Sequence, residues 1–223
     1  MLQEPYDYEK TKLIVREMTD LLVLDLVDKR LVTDQIVLTI GYDIANLSNK
    51  ADSCLGNNYD HAVNNKGRDS IGGKKGTHRD YTGEITIDRY GRKVPKHAHG
   101  TANLGRYTSS TRIIMDAVME LYDRIIDPSL LTRRITVVAN RVCDESKAQE
   151  SEQFEQLDLF TDYQERAKEK LKEDEALSKE RKLQEAMISV KKKYGKNAML
   201  KGMNLEEGAT TISRNNQIGG HKA

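Results

Sequence analysis

Between His97 and Leu104 the sequence alternates without a slip: His97-Ala98-His99-Gly100-Thr101-Ala102-Asn103-Leu104. A repeat of two is the side-chain period of an extended strand. It sends Ala98, Gly100, Ala102 and Leu104 to one face and His97, His99, Thr101 and Asn103 to the other. The first set is apolar but small, which lets a helix lie close against the strand. The second set is polar and belongs on a face left open. A chain built around this strand needs helices with apolar stripes to cover the small side.

Two such helices are present. Asp7 reads as an N-cap after Pro5, with Glu9 in the first turn, and Ile14, Met18, Leu21, Leu22 and Leu26 follow at helical spacing to an end near Lys29–Leu31. Thr108 or Ser109 caps the second, whose stripe is Ile114, Ala117, Val118, Leu121, Tyr122 and Ile125, stopped by Asp127-Pro128. Gln35 to Tyr42 alternates as a strand, with Ile36, Leu38, Ile40 and Tyr42 on one side. Gly83 to Tyr90 is a short strand turning at Gly91-Arg92-Lys93, and Arg134 to Val142 is the last strand, with Ile135, Val137 and Ala139 inward. Two helices on one face of an antiparallel or mixed sheet predict an α+β sandwich whose other face carries Thr, Asn, His and Arg.

The rest of the chain is polar. Residues 44–82 form an insertion dense in Gly, Asn, Asp, Lys and Ser with no period. Residues 143–162 read as an acidic linker, residues 163–195 as one long exposed helix alternating Glu and Lys, and residues 196–223 as a flexible tail. The domain proper is then residues 1–142. The formal net charge of +1 conceals a polarity: His61 to Arg112 holds eleven Lys/Arg against four Asp/Glu, and Cys143 to Val190 eight against fourteen. A basic segment beside an acidic one suggests a nucleic-acid surface joined to a solvated spacer. Two cysteines, no signal-like N-terminus and no apolar run of membrane length lead to the expectation of a cytoplasmic chain with no membrane partner.

Within the acidic linker, Gln156-Leu157-Asp158-Leu159-Phe160 strands three apolar residues with nothing nearby to pack on. A polar hook followed by aliphatic and aromatic anchors is the pattern of a short peptide that docks in another protein's pocket. Position by position it resembles the Q-L-x-L-F peptide by which bacterial replication and repair proteins bind the DNA sliding clamp. The domain before it resembles the little-finger domain of Y-family translesion DNA polymerases, UmuC-type, Gram-positive branch. The matching residues are Pro5-Tyr6-Asp7-Tyr8-Glu9-Lys10, Val37-Leu38-Thr39-Ile40-Gly41-Tyr42, Gly91-Arg92-Lys93-Val94-Pro95 and His97-Ala98-His99-Gly100-Thr101, with the helix Thr111–Ile126 and strand Arg134–Val142. Asn197-Ala198-Met199-Leu200-Lys201-Gly202 and Arg214-Asn215-Asn216-Gln217-Ile218-Gly219-Gly220-His221 are similar to that branch's tail.

The resemblance implies a β-α-β-β-α-β plan that lays its sheet in the DNA major groove, although the first strand has no counterpart here. It implies a sliding clamp and duplex primer-template as partners, in error-prone repair and SOS damage tolerance, and no small-molecule substrate. The family's Mg²⁺ carboxylates belong to a palm domain without counterpart in this sequence, so no cofactor is expected and the chain by itself reads as a binding module rather than an enzyme. Arg89, Arg92, Lys93, Lys96, His97, His99, Thr101, Asn103 and Arg106 are the candidate DNA contacts, with Lys66, Arg68, Lys74, Lys75 and Arg79 of the insertion nearby in sequence. Two rival readings start from the same residues. In one, His97, His99 and Asp88 serve a metal-dependent nuclease; in the other, the long helix is a coiled-coil adaptor and the basic domain binds RNA or an anionic protein. Cys54, His61 or His78 could join His97 and His99 at zinc, but no Cys-x-x-Cys or His-x₃-His pair accompanies them. Gly72-Gly73-Lys74-Lys75 lacks the spacing of a phosphate loop.

Overall fold

The computed structural model describes residues 2–47, 81–151, 163–218 and 221–222. Helix α1 (Tyr8–Asp28) starts where Asp7 accepts a hydrogen bond from the Lys10 amide at 2.9 Å. Strand β1 (Leu31–Tyr42) follows after Arg30, whose φ of 56° turns the chain back. Beyond the insertion come β2 (Ile85–Ile87), β3 (Lys93–Pro95), β4 (Ala98–Thr108), α2 (Thr111–Ile125) and β5 (Thr132–Asn140). The main sheet is antiparallel in the order β4-β1-β5, so β1 lies in the middle. Tyr6 and Thr132 exchange backbone hydrogen bonds of 2.9 and 2.7 Å, which lays the N-terminal segment along the start of β5.

α1 and α2 cover one face of this sheet, as expected of an α+β sandwich. Ile36, Leu38, Ile40 and Tyr42 of β1 are buried against Ile14, Val15, Val23 and Val27 of α1 and Ile114, Val118, Leu121 and Tyr122 of α2. Each such side chain contributes about 1.5–3 kcal/mol by leaving water. The small residues of β4 do what their size permits: a Cβ on Gly100 would stand 2.8 Å from Leu121 and 3.0 Å from Ile125, so α2 rests almost on the backbone. Tyr122, fully buried, donates its hydroxyl to the Tyr8 carbonyl at 2.7 Å and joins the helices. The α2 cap is Ser110, one residue beyond the expected pair; Thr108 instead accepts from the Ser110 amide at 3.0 Å and shapes the turn into the cap.

Three expectations about the second half need correction. The linker does not begin as free spacer at 143: Cys143–Asp144 (β6) pairs with Leu31 and Val32 of β1, and helix α3 (Glu145–Ser151) buries Ala148. Helix α4 (Tyr163–Tyr194) has the expected length, yet its second half is docked rather than solvated. Gln184 donates to the Ser109 carbonyl at 3.0 Å and Thr111 Oγ1 at 2.9 Å, Met187 is buried, and Glu180 accepts from Ser110 and the Arg112 amide at the start of α2. Nor is the tail flexible over its described residues. A 3₁₀ turn (Gly202–Leu205) and helix α5 (Thr211–Asn215) fold back onto α1, where the buried carboxylate of Glu17 receives them. Hydropathy missed these contacts because they are mostly hydrogen bonds, which leave no apolar period. No helix among the described residues is long and apolar enough to cross a membrane.

Candidate nucleic-acid interface

Alternation places the other side chains of β4, β1 and β5 together on the face away from the helices, and the register arranges them in rows. Asn103, Gln35 and Asn140 stand abreast; so do Thr101, Val37 and Val138, then His99, Thr39 and Thr136, with Gly41 and Arg134 in the last row. Within rows the groups bond to one another. Gln35 donates to Asn103 at 2.8 Å, Asn140 donates to Gln35 at 3.3 Å, and the Thr39 hydroxyl lies 2.9 Å from His99 Nδ1. Arg141 reaches across to Asn103 at 3.2 Å and pairs with Asp34 at 2.8 Å. This surface offers amides, hydroxyls and an imidazole, with Arg134 adding positive charge and Arg141 matched by Asp34.

His99, Thr101 and Asn103 thus fall on the open face, as their spacing predicts. His97 is exposed just before β4, its ring 6.4 Å from that of His99 and edge-on to it. Arg106 does not join them. Gly105, at φ 75°, and the register jump from Asn103 opposite Gln35 to Thr108 opposite Thr33 break the alternation. The Arg106 guanidinium is held by Glu173 of α4 at 2.6 Å, with Arg112 a further 3.9 Å neighbour of the same carboxylate. Sequence spacing also passed over Gln35, Arg134, Asn140 and Arg141, which the rows bring in. The alternation of β1 and β5 was the signal that could have found Gln35, Arg134 and Asn140; Arg141, just past β5 at φ 49°, follows no such period.

The other basic residues sit on a hairpin arm made by β2 and β3. Its base is tied down: the Lys96 amide donates to the Glu84 carbonyl at 2.8 Å, the Lys96 ammonium pairs with the Glu84 carboxylate at 2.7 Å, and Tyr81 donates to the Glu84 carbonyl at 3.0 Å. Its tip is shaped by Asp88, which accepts from the amides of Tyr90 at 2.8 Å and Arg92 at 3.0 Å and from Arg92 Nε at 2.9 Å. Those bonds, the Arg92 amide foremost, hold the Asp88 carboxyl below the usual carboxylate range. Gly91, at φ 78°, closes the turn. Among the described residues Arg89 and Lys93 face no carboxylate.

The described residues bring together no group of three His, Cys, Asp or Glu that could hold a metal ion. Asp88, the acid of the nuclease reading, is committed to Arg92. The peptide Gln156-Leu157-Asp158-Leu159-Phe160 and the insertion's Cys54, His61, Lys66, Arg68, Gly72–Lys75, His78 and Arg79 lie outside the described residues. Comparison with protein-family models, with curated proteins and with solved structures finds no match to this chain.

Proposed function

We propose that the chain is a module that grips nucleic-acid backbone, and more particularly the DNA-gripping and clamp-tethering part of a Y-family translesion polymerase working in the cytoplasm. The observation that carries the reading is a sheet with both helices on one side and a row-ordered polar face on the other, flanked by a cationic arm. Amides and hydroxyls on such a face suit groove edges and sugar-phosphate oxygens, and the arm supplies charge that positions a duplex without reading its sequence. The likeness of Gly91-Arg92-Lys93-Val94-Pro95 and His97-Ala98-His99-Gly100-Thr101 to the little finger, and of Gln156–Phe160 to clamp-binding peptides, narrows the class to that family. Chemistry is left to a partner domain, and the module adds hold.

Duplex affinity measured against salt tests this. If about four cations displace counterions, log K falls with log salt at a slope of about −3.6. Reversing charge at Arg92, Lys93 and Lys96 weakens every sequence alike and flattens the slope, whereas reversing Lys168, Lys170 and Lys172 on α4 does neither. A salt-independent affinity, or equal loss from both triple variants, would falsify the assignment.

A further inference from the structure

The arm ends in a grouping that backbone gripping does not need. Tyr90 is 67% exposed at the tip, and the guanidinium carbons of Arg89 and Arg92 each stand 5.2 Å from its ring centroid. Behind it Ile85 and Ile87 are also exposed, at 49% and 72%. A folded domain hides an aromatic ring where it can, and here the ring is instead held out on a tied-down hairpin and braced by cations. The two braces differ. Arg92 is fixed by Asp88, with its Nη2 2.7 Å and its Nε 2.9 Å from the carboxylate. Arg89 has no carboxylate among the described residues, so it can leave the ring for a phosphate and uncover one face. An exposed cation–π contact is weaker than a base–aromatic stack, so the exchange runs in that direction.

We propose that the arm tip is a single-strand nucleic-acid site: an unpaired base stacks on Tyr90, and Arg89 and Lys93 take the phosphates beside it. Aromatic and guanidinium surfaces within reach of cations are the chemistry by which unstacked bases are held without sequence preference. Charge favours this ligand over an apolar protein surface, because the tip and its flanks hold Arg89, Arg92, Lys93 and Lys96 against Asp88 and Glu84. The inference rests on the nucleic-acid reading above but adds an unpaired base to a grip that otherwise holds only duplex. It gives the arm the junction between paired and unpaired strand, with the duplex on the sheet and the first free base on the tip.

The chain has no tryptophan, so Tyr90→Trp creates a single fluorescent reporter at the tip. The full chain carrying it is titrated with an oligothymidylate, with an abasic strand of equal length and charge, and with a duplex. Oligothymidylate should quench the emission and the abasic strand should not. In the otherwise unchanged chain, Tyr90→Ala should weaken oligothymidylate binding roughly tenfold and leave the salt slope for duplex as it was. Tyr90 is exposed and its turn is shaped by Asp88 and Gly91, so neither variant threatens the fold. Equal quenching by both strands, or oligothymidylate affinity unchanged in Tyr90→Ala, overturns the site, and persistent salt-dependent duplex binding in that case leaves the grip intact. Quenching by oligothymidylate without duplex binding supports the tip and overturns the grip.

Discussion

A carboxylate taken fully out of water on a helix needs partners, and Glu17 finds them in the tail. Its Oε2 accepts from the Thr210 amide at 2.9 Å and hydroxyl at 3.1 Å, and its Oε1 from the Asn204 side chain at 3.1 Å and the Thr211 amide at 3.2 Å. The guanidinium of Arg214 stands 3.5 Å away, and burial pushes its pKa below the usual value. Glu17 therefore serves as the cap of α5, satisfying amides that the start of a helix leaves free. Replacing it by Ala strands a half-buried cation and two amides at once, at a cost of about 3 kcal/mol. Glu17→Gln keeps the shape but turns an acceptor into a donor, and should cost less, about 1–3 kcal/mol. Urea unfolding measures both, and a Glu17→Ala variant as stable as the parent would refute the clasp. Lys201 makes a second tie to α1 through Asp20 at 2.5 Å.

At the scale of elements, contact between α2 and β4 is limited by Gly100. A larger side chain there must push Leu121 and Ile125, both committed to the core, so Gly100→Val should destabilise by about 1–3 kcal/mol through overpacking. Thermal melting beside Gly105→Ala, where nothing stands within 4 Å but φ is 75°, separates crowding from backbone strain. What the sequence disclosed and what it hid divide along the same line. Ala98, Gly100 and Ala102 announced a closely covered strand because sheet period is read directly from residue size. The outward His99, Thr101 and Asn103 followed from the same period, and Arg106 escaped it because Gly105 breaks the alternation. Only one stripe of α1 was legible, although Leu13, Val15, Val23, Leu24 and Val27 are buried as well. Apolar residues beyond one stripe signal burial on more than one side, and here α4 and the tail supply the covering that the sheet does not. Their own sequences conceal this, since Gln184, Asn204 and Thr211 work as hydrogen-bonding groups. Nothing in the sequence singled out Tyr90, because its bracing by Arg89 and Arg92 depends on a turn that no periodicity describes.

For the whole molecule, the proposed division of labour sets the open sheet face and arm against a tether in residues 156–160. The tether should act without the body: Leu159→Ala with Phe160→Ala should cost at least ~2 kcal/mol of clamp affinity, as for interface hot spots, and leave duplex binding unchanged. Calorimetry giving equal clamp affinity for parent and double variant would remove the clamp from the proposal. The clasp between α1 and the tail has a consequence for how the molecule is made. The groups that bond Glu17 stand 187 to 194 positions further along the chain. While a ribosome is still delivering the sheet, α2 and α4, Glu17 and Asp20 remain hydrated charges on the side of α1 that the tail covers, and their presence opposes premature burial of that side. Drying it must wait until Asn204, Thr210 and Thr211 have emerged, so the sandwich can assemble early while α1 stays open to water on its far side. A segment translated late thus decides when an early helix is finished.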